Sequence, residues 1–440
     1  MSKYEPVIGL EVHVELNTKS KMFCGCSTDY FGAEPNSHTC PVCLGLPGAT
    51  PFINQQAIDD CIKIGLALGC KVINNPSLFE RKNYFYPDLP KGYQISQYRW
   101  PLCVNGEIEI KGGDGKKIIR INRAHQEEDT GKLTHSGAET LIDFNRSGVP
   151  LVEIVTEPDF TDSGEVRDYA KKLQQVFRYL GVSNADMERG DMRLEANISV
   201  RPVGQTELPG YRIELKNINS FRFMVAAIEY EIKRQIEALE KGEQMRQETR
   251  GWNEAKKETF IQRVKEEAND YRYFPEPDLP QLEVSEERID QIRSEIPQMP
   301  WELAKKFIDE YGIAEADATI LTGSQKLARF FEQTIKSGQK QQITPKQVAN
   351  FLINKKVDPG FIQPDQVIKE ILGQKSGVIT DEAEIKRLAQ EAVNENPKIV
   401  GDYQKGKESA VMALVGVVMG KAGGKADAQM VKTILVKLLS

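Results

Sequence analysis

Apolar and polar residues alternate strictly near the start of the chain. Over residues 7–16, Leu10, Val12, Val14 and Leu16 take one face, and Glu11, His13 and Glu15 the other. Residues 193–200 repeat the pattern, with Leu194, Ala196, Ile198 and Val200 set against Arg193, Glu195, Asn197 and Ser199. Residues 211–216 do so again, with Arg212, Glu214 and Lys216 on the polar face. This period-two pattern predicts an antiparallel sheet with one face on a core and the other carrying both signs of charge. Residues 107–111 and 117–122 read as a hairpin turning at Gly112–Gly115. Two helices interrupt the strands. Ser163 caps the first, which Gly181 stops, and the second runs over 222–240 before Gly242.

Past residue 293 the period lengthens to that of helices. They are predicted over 300–311, 314–336, 345–355, 365–372, 381–394, 407–420 and 427–439, with Thr344-Pro345 a helix start. The fold class is therefore α+β: a mainly antiparallel-sheet domain over 1–293, a helical domain over 294–372 and a helical tail over 373–440.

Composition narrows the picture. The 440 residues are 40% hydrophobic and 28% charged, which excludes disordered and collagen-like chains. All seven cysteines (24, 26, 40, 43, 61, 70, 103) and all four histidines (13, 38, 125, 135) precede residue 136. An odd cysteine count without a signal-peptide pattern points to a reducing cytoplasm. The apolar stretch 410–419 is about half the length that crosses a bilayer, so no membrane role is expected. Net charge is −6, yet residues 398–440 hold seven lysines against three acids. Non-specific nucleic-acid binding is disfavoured, whereas a local basic patch is not.

Three constellations carry chemistry. Cys24-x-Cys26 and Cys40-x-x-Cys43 have the close pairing that lets two turns close a tetrahedral, structural zinc site; the alternative is buried, incidental thiols, the reading given to Cys61, Cys70 and Cys103. Glu11 and His13 on one strand face, the three consecutive acids of the run His125-Gln126-Glu127-Glu128-Asp129, and Glu195 form an oxygen-rich set with one imidazole, which suits Mg²⁺ or Mn²⁺; an exposed acidic turn is the bland alternative. Two aromatic–proline segments, 84–90 and 271–280, either stack a base or pack rings into the core. Phosphate-loop, dinucleotide-glycine and nucleophile-elbow motifs are missing from the sequence.

Nine segments in series then resemble one family. VIGLEVHVELNTKSKMFCGC (7–26), TCPVCLGLPG (39–48), RKNYFYPDLPKGYQISQ (81–97), HQEEDTGK (125–132), DFNRSGVPLVEIVTEPD (143–159), MRLEANISVRP (192–202), ELKNINS (214–220), QETRGW (247–252) and DYRYFPEPDLP (270–280) are similar to the B subunits of bacterial aspartyl/glutamyl-tRNA amidotransferases. The likeness continues through 395–427, which resembles the family's tail domain.

The resemblance implies an ATP-dependent enzyme that phosphorylates the side-chain carboxylate of misacylated Glu-tRNA(Gln) or Asp-tRNA(Asn) and then amidates it. Residues 1–293 would be its catalytic cradle. The family's metal positions fall on Glu11, His13, Glu127, Glu128, Glu195 and Glu254. Glu195 stands where the family often has Asp, one methylene longer, which allows a water-bridged role. Arg146, Arg193, Asn197, Lys216, Tyr86 and Lys91 are the candidates for contacting ATP and substrate. Lys421 and Lys425, in a glycine-rich loop, are candidates for tRNA phosphates. Ammonia would come from a partner glutaminase A subunit, with a small C subunit completing a heterotrimer. Two rivals remain: a non-catalytic, zinc-stabilised tRNA scaffold, and a stand-alone ligase using free ammonia.

Overall fold

A computed structural model describes residues 3–73, 76–113, 115–264, 271–376, 382–405, 407, 409–423 and 426–439. The chain forms two compact units, Met1–Glu302 and Leu303–Ser440.

The first unit is built on strands β1 (Tyr4–Glu15), β2 (Lys71–Val72), β3 (Glu80–Asn83), β4 (Tyr93–Ser96), β5 (Cys103–Gly112), β6 (Gly115–Glu128), β7 (Lys132–Ser136), β8 (Glu139–Asp143), β9 (Pro150–Thr156), β10 (Met192–Pro202), β11 (Ile213–Ile218), β12 (Glu248–Asn253), β13 (Glu258–Val264) and β14 (Phe274–Pro275). Among the described residues, twelve of these make one sheet whose main path is β13-β12-β11-β10-β1-β9-β6-β4-β3-β14, with β5 paired to both β6 and β2. β7 and β8 form a separate hairpin. The pairings are antiparallel except β11 with β12. The expected strands are present, the one over 211–216 beginning at Ile213, and β5 and β6 pair as far as Gly112 opposite Gly115.

Helices α1 (Gln55–Ala67), α2 (Ser163–Leu180), α3 (Phe221–Glu240) and α4 (Glu286–Glu295) accompany this sheet. The core holds the apolar sides of β1 and β10, namely Leu10, Val12, Val14, Leu194, Ala196 and Ile198, with Ile58 and Ile62 of α1 and Tyr169 and Leu173 of α2. Because this face is filled, the opposite parity of β1 and β10 is committed to the other side. Three local differences from the sequence reading have physical causes. Asp162, not Ser163, caps α2, its side chain accepting from the Glu165 N–H at 2.9 Å. Helix α1 is an addition to the predicted elements; Asn54 caps it, accepting from the Ala57 N–H. Its Gly65 sits where a Cβ would collide with the Cys103 side chain, so the glycine that weakens the helical signal is what lets α1 approach β5. α4 begins before residue 293 and adds to the two helices expected there; Ser285 caps it, accepting from the Arg288 N–H at 3.3 Å.

The second unit takes in most of α5 (Pro300–Tyr311), then α6 (Glu315–Leu321), α7 (Gln325–Gly338), α8 (Pro345–Asn354), α9 (Pro364–Ser376), α10 (Glu382–Glu395), α11 (Pro397–Gln404), α12 (Ala410–Lys421) and α13 (Ala428–Leu439). The helix expected over 314–336 is broken, because Ser324 accepts from the Leu327 N–H and starts α7 afresh. Helix α9 runs through residue 373, where the tail is expected to begin. Helices α10, α12 and α13 share a core of Leu388, Leu414, Val418, Val431 and Leu435. Among the described residues, no helix is long and apolar enough to cross a membrane.

Candidate active site

β1 lies between β10 and β9, and its polar positions meet those of its neighbours in register. Glu11 faces Glu195 across the β1–β10 ladder, and His13 faces Glu153 across β1–β9. On the far side of β9, Glu153 faces His125, and beyond β10, Asn197 faces Glu214. Two clusters result, one at Glu11 and one at His13.

In the first, the carboxylates of Glu11, Glu195 and Glu214 come within 4.8 Å of one another. Lys216 Nζ lies 2.7 Å from Glu195 Oε2 and 3.2 Å from Glu214 Oε1. Asn197 Nδ2 donates to Glu11 Oε1 at 2.8 Å. The Thr249 hydroxyl donates to Glu214 Oε2 at 2.9 Å. Burial, reinforced by the charges of Glu153 and Glu195, pushes the Glu11 carboxyl above its usual range. Burial works against the Lys216 ammonium, but Glu195 and Glu214 outweigh it and hold its pKa up.

In the second cluster, His13, Glu127 and Glu153 offer ligand atoms within 4.8 Å of one another. The fully buried His125 places Nε2 3.4 Å from both Glu127 Oε1 and Glu153 Oε2, and His13 Nε2 is 3.8 Å from Glu153 Oε2. Ser96 Oγ donates to Glu127 at 2.7 Å. Burial alone would raise the Glu153 carboxyl, yet His125 and His13 draw it well below the ordinary range. Lys82 joins this group: its ammonium lies 5.3 Å from the centre of the Tyr271 ring and 5.9 Å from that of Tyr84. Burial opposes its charge, and Glu127 and Glu153 sustain it.

Both clusters fit a hard divalent cation. Their donors are carboxylate oxygens with one accessible imidazole. Among the described residues, Asn197 Oδ1 and His125 Nδ1 are buried without a hydrogen-bond partner, while His125 Nε2 and Glu195 Oε2 have charged neighbours, Glu127 and Glu153 for the one and Lys216 for the other, that make no hydrogen bond to them. A 420 Å³ cavity opens beside the first cluster, lined by Gly9, Glu11, Asn197, Ser199, Tyr211 and Arg212 among others.

The other candidates are placed as follows. Glu128, next to Glu127 on β6, ion-pairs with Lys91 and accepts from the Ile95 N–H at 2.9 Å, apart from both clusters. Lys91 and Tyr86 line a 530 Å³ hollow at the loop before β4. Glu254 is 67% exposed in the β12–β13 turn, 3.8 Å from Arg222. Arg193 pairs with the buried Asp129. Arg146 lies 3.8 Å from Asp129 and donates to the carbonyls of Thr130 and Gly131 at 3.0 and 2.8 Å. Lys421 ion-pairs with Glu395 at 2.7 Å and Glu391 at 3.6 Å. Lys425 lies outside the described residues.

Cys24, Cys26, Cys40 and Cys43 converge, their sulfurs all within 4.8 Å of one another. Cys40 and Cys43 are 3.9 Å apart, and sulfurs bound tetrahedrally at about 2.3 Å from zinc stand about 3.8 Å apart. Lys21, fully buried, donates to Cys43 Sγ at 3.7 Å and to the carbonyls of His38 and Phe144 at 2.7 and 3.3 Å. A buried ammonium needs a compensating anion, which a four-thiolate zinc site supplies.

Residues 6–290 match the GatB/GatE catalytic domain family and residues 331–439 the GatB domain family. The chain belongs to the GatB family of tRNA-dependent amidotransferase subunits. Among its GatB relatives, the B subunit of the aspartyl/glutamyl-tRNA(Asn/Gln) amidotransferase from Caldanaerobacter subterraneus is 47% identical, with the whole of both chains aligned. The equivalent B subunits from Thermotoga maritima and Brevibacillus brevis are each 44% identical, with 99% and 100% of both chains covered. Within this GatB fold, sequence reasoning passes over two acids. Glu153 is a lone carboxylate in the apolar run 149–155, a signal in itself, and Glu214 sits on the polar face of β11 with Lys216.

Proposed function

We propose that the chain activates the side-chain carboxylate of misacylated Glu-tRNA(Gln) or Asp-tRNA(Asn) with ATP and amidates it with ammonia from a partner glutaminase A subunit. A small C subunit would complete the heterotrimer. The observation that carries this reading is the pair of cation-competent clusters set side by side on one strand, at Glu11 and at His13.

A free carboxylate resists ammonia because attack would have to expel oxide. In the first step a carboxylate oxygen attacks the terminal phosphorus of ATP, the bond to the bridging oxygen breaks and ADP leaves. Ammonia then attacks the acyl carbon of the resulting acyl phosphate, and phosphate departs with the electron pair. Magnesium or manganese, when bound, would neutralise the charge on the transferring phosphate. Glu11, Glu195 and Glu214 would hold one such ion, and His13, Glu127 and Glu153 another. Lys216 sets a positive charge beside the first cluster, and Lys82 does so beside the second. Asn197 orients Glu11. The cavity next to Glu11, with Arg212 on its wall, suits the nucleotide. The four cysteines would carry a structural zinc with no open position, and the lysine-bearing tail would contact tRNA phosphates.

The test is His13→Ala in the reconstituted complex. Phosphorylation of Glu-tRNA should be lost while tRNA binding and glutaminase turnover persist; full activity would favour a scaffold role. Leaving out the A subunit while supplying ammonium salt separates the glutamine-dependent enzyme from a stand-alone ligase.

A further inference from the structure

The segment Gln247-Glu248-Thr249-Arg250-Gly251-Trp252 contributes no member of either cluster, yet its centre touches one. β12 runs parallel to β11 with Thr249 opposite Glu214. Thr249 is buried, and its hydroxyl donates to Glu214 Oε2 at 2.9 Å. A buried hydroxyl is costly without an acceptor, and a carboxylate is the strongest that a side chain offers. With Oε2 tied to Thr249, Glu214 Oε1 is left 3.2 Å from Lys216, on the side where Lys216 also meets Glu195.

The strand that carries Thr249 is itself fixed by its next residue. Arg250 Nε donates to Thr259 Oγ1 at 2.9 Å, and its Nη2 donates to the Thr259 carbonyl at 3.0 Å. The fully buried Glu231 of α3 accepts from Thr259 Oγ1 at 2.9 Å and lies 3.5 Å from Arg250 Nε. Arg250 Nη1 closes onto Glu248 at 2.8 Å. Glu248, Thr249 and Arg250 therefore cannot shift along the sheet without breaking buried, charge-assisted bonds.

We propose that Thr249 is a positioning residue for the first cluster, fixing the rotamer of Glu214 so that one carboxylate oxygen is presented to the space shared with Glu11 and Glu195. This rests on the divalent-cation reading of that cluster. Hydrogen bonds to a ligating carboxylate fix its orientation, and their loss weakens metal affinity by about 10- to 100-fold.

The experiment is Mn²⁺ titration of the full chain, followed by electron paramagnetic resonance, with no tRNA or partner subunit present. Glu214→Gln identifies the binding event that belongs to this cluster. Thr249→Val, which keeps the shape and removes the hydroxyl, should weaken that same event by about tenfold or more and leave Mn²⁺ at His13 unchanged. Thr249→Ser should restore the affinity. An event sensitive to Glu214→Gln but indifferent to Thr249→Val overturns this inference alone. Parallel weakening of every event, with a fall in Tm, would mean general loosening and also overturn it. No event sensitive to Glu214→Gln would remove the cation reading of the cluster and this inference together.

Discussion

Glu153 is surrounded by groups that need its charge: His13 on one neighbouring strand, His125 on the other, and Lys82 nearby. Glu153→Gln keeps the size and deletes the charge, so acyl-phosphate formation should fall by about 10- to 100-fold with the fold intact. Single-turnover assay with radiolabelled ATP measures it. Asp60 is a carboxylate of another kind. Burial on α1 raises its pKa from 3.8 to about 6, against the opposing pull of Gln56 and Lys63. Such a group costs nothing below pH 3.8, where it is protonated whether folded or unfolded. Its cost grows between those values and is complete above about 6. Asp60→Asn should therefore raise stability at pH 8, by up to about 3 kcal/mol, and leave it nearly unchanged at pH 4. Thermal melts at the two pH values decide it.

Elements differ in how openly the sequence announces them. β1 and β10 are legible because each has one dry and one charged face, and the same alternation exposes Glu11, His13, Glu195 and Asn197 as neighbours. α1 is not, because Gly65 and the buried Asp59 and Asp60 blur its apolar stripe, and only the packing against β5 explains that glycine. Gly65→Ala should drive a methyl into Cys103 and cost on the order of 1–3 kcal/mol, read from the denaturation midpoint. On β6, Glu127 and Glu128 look equivalent in sequence. The strand's pleat sends only Glu127 to the cluster and gives Glu128 to Lys91. Arg146 and Arg193 read as phosphate contacts, but the buried Asp129 that occupies Arg193 and lies close to Arg146 comes from a different part of the chain, beyond the reach of any local pattern.

For the whole molecule, two expectations concern parts that serve the site from outside it. Metal analysis of the purified chain should find a single zinc, lost in Cys40→Ser with a drop in Tm, since Lys21 would then lie buried against an incomplete anion. Because α9 runs to Ser376, a tail deletion is best begun at residue 382. It should weaken tRNA affinity, measured by filter binding, and leave ATP binding unaltered. The central strand sets a further condition. β1 is hydrogen-bonded on both edges, and its two faces have separate duties, odd-numbered positions from Glu11 to Glu15 bearing carboxylates and imidazole, even-numbered ones filling the core. Parity is thus heritable information: a residue inserted into β1 would turn the acids into the oil and the valines toward the two clusters. A substitution along this strand leaves that order in place, whereas lengthening or shortening it by one residue reverses it.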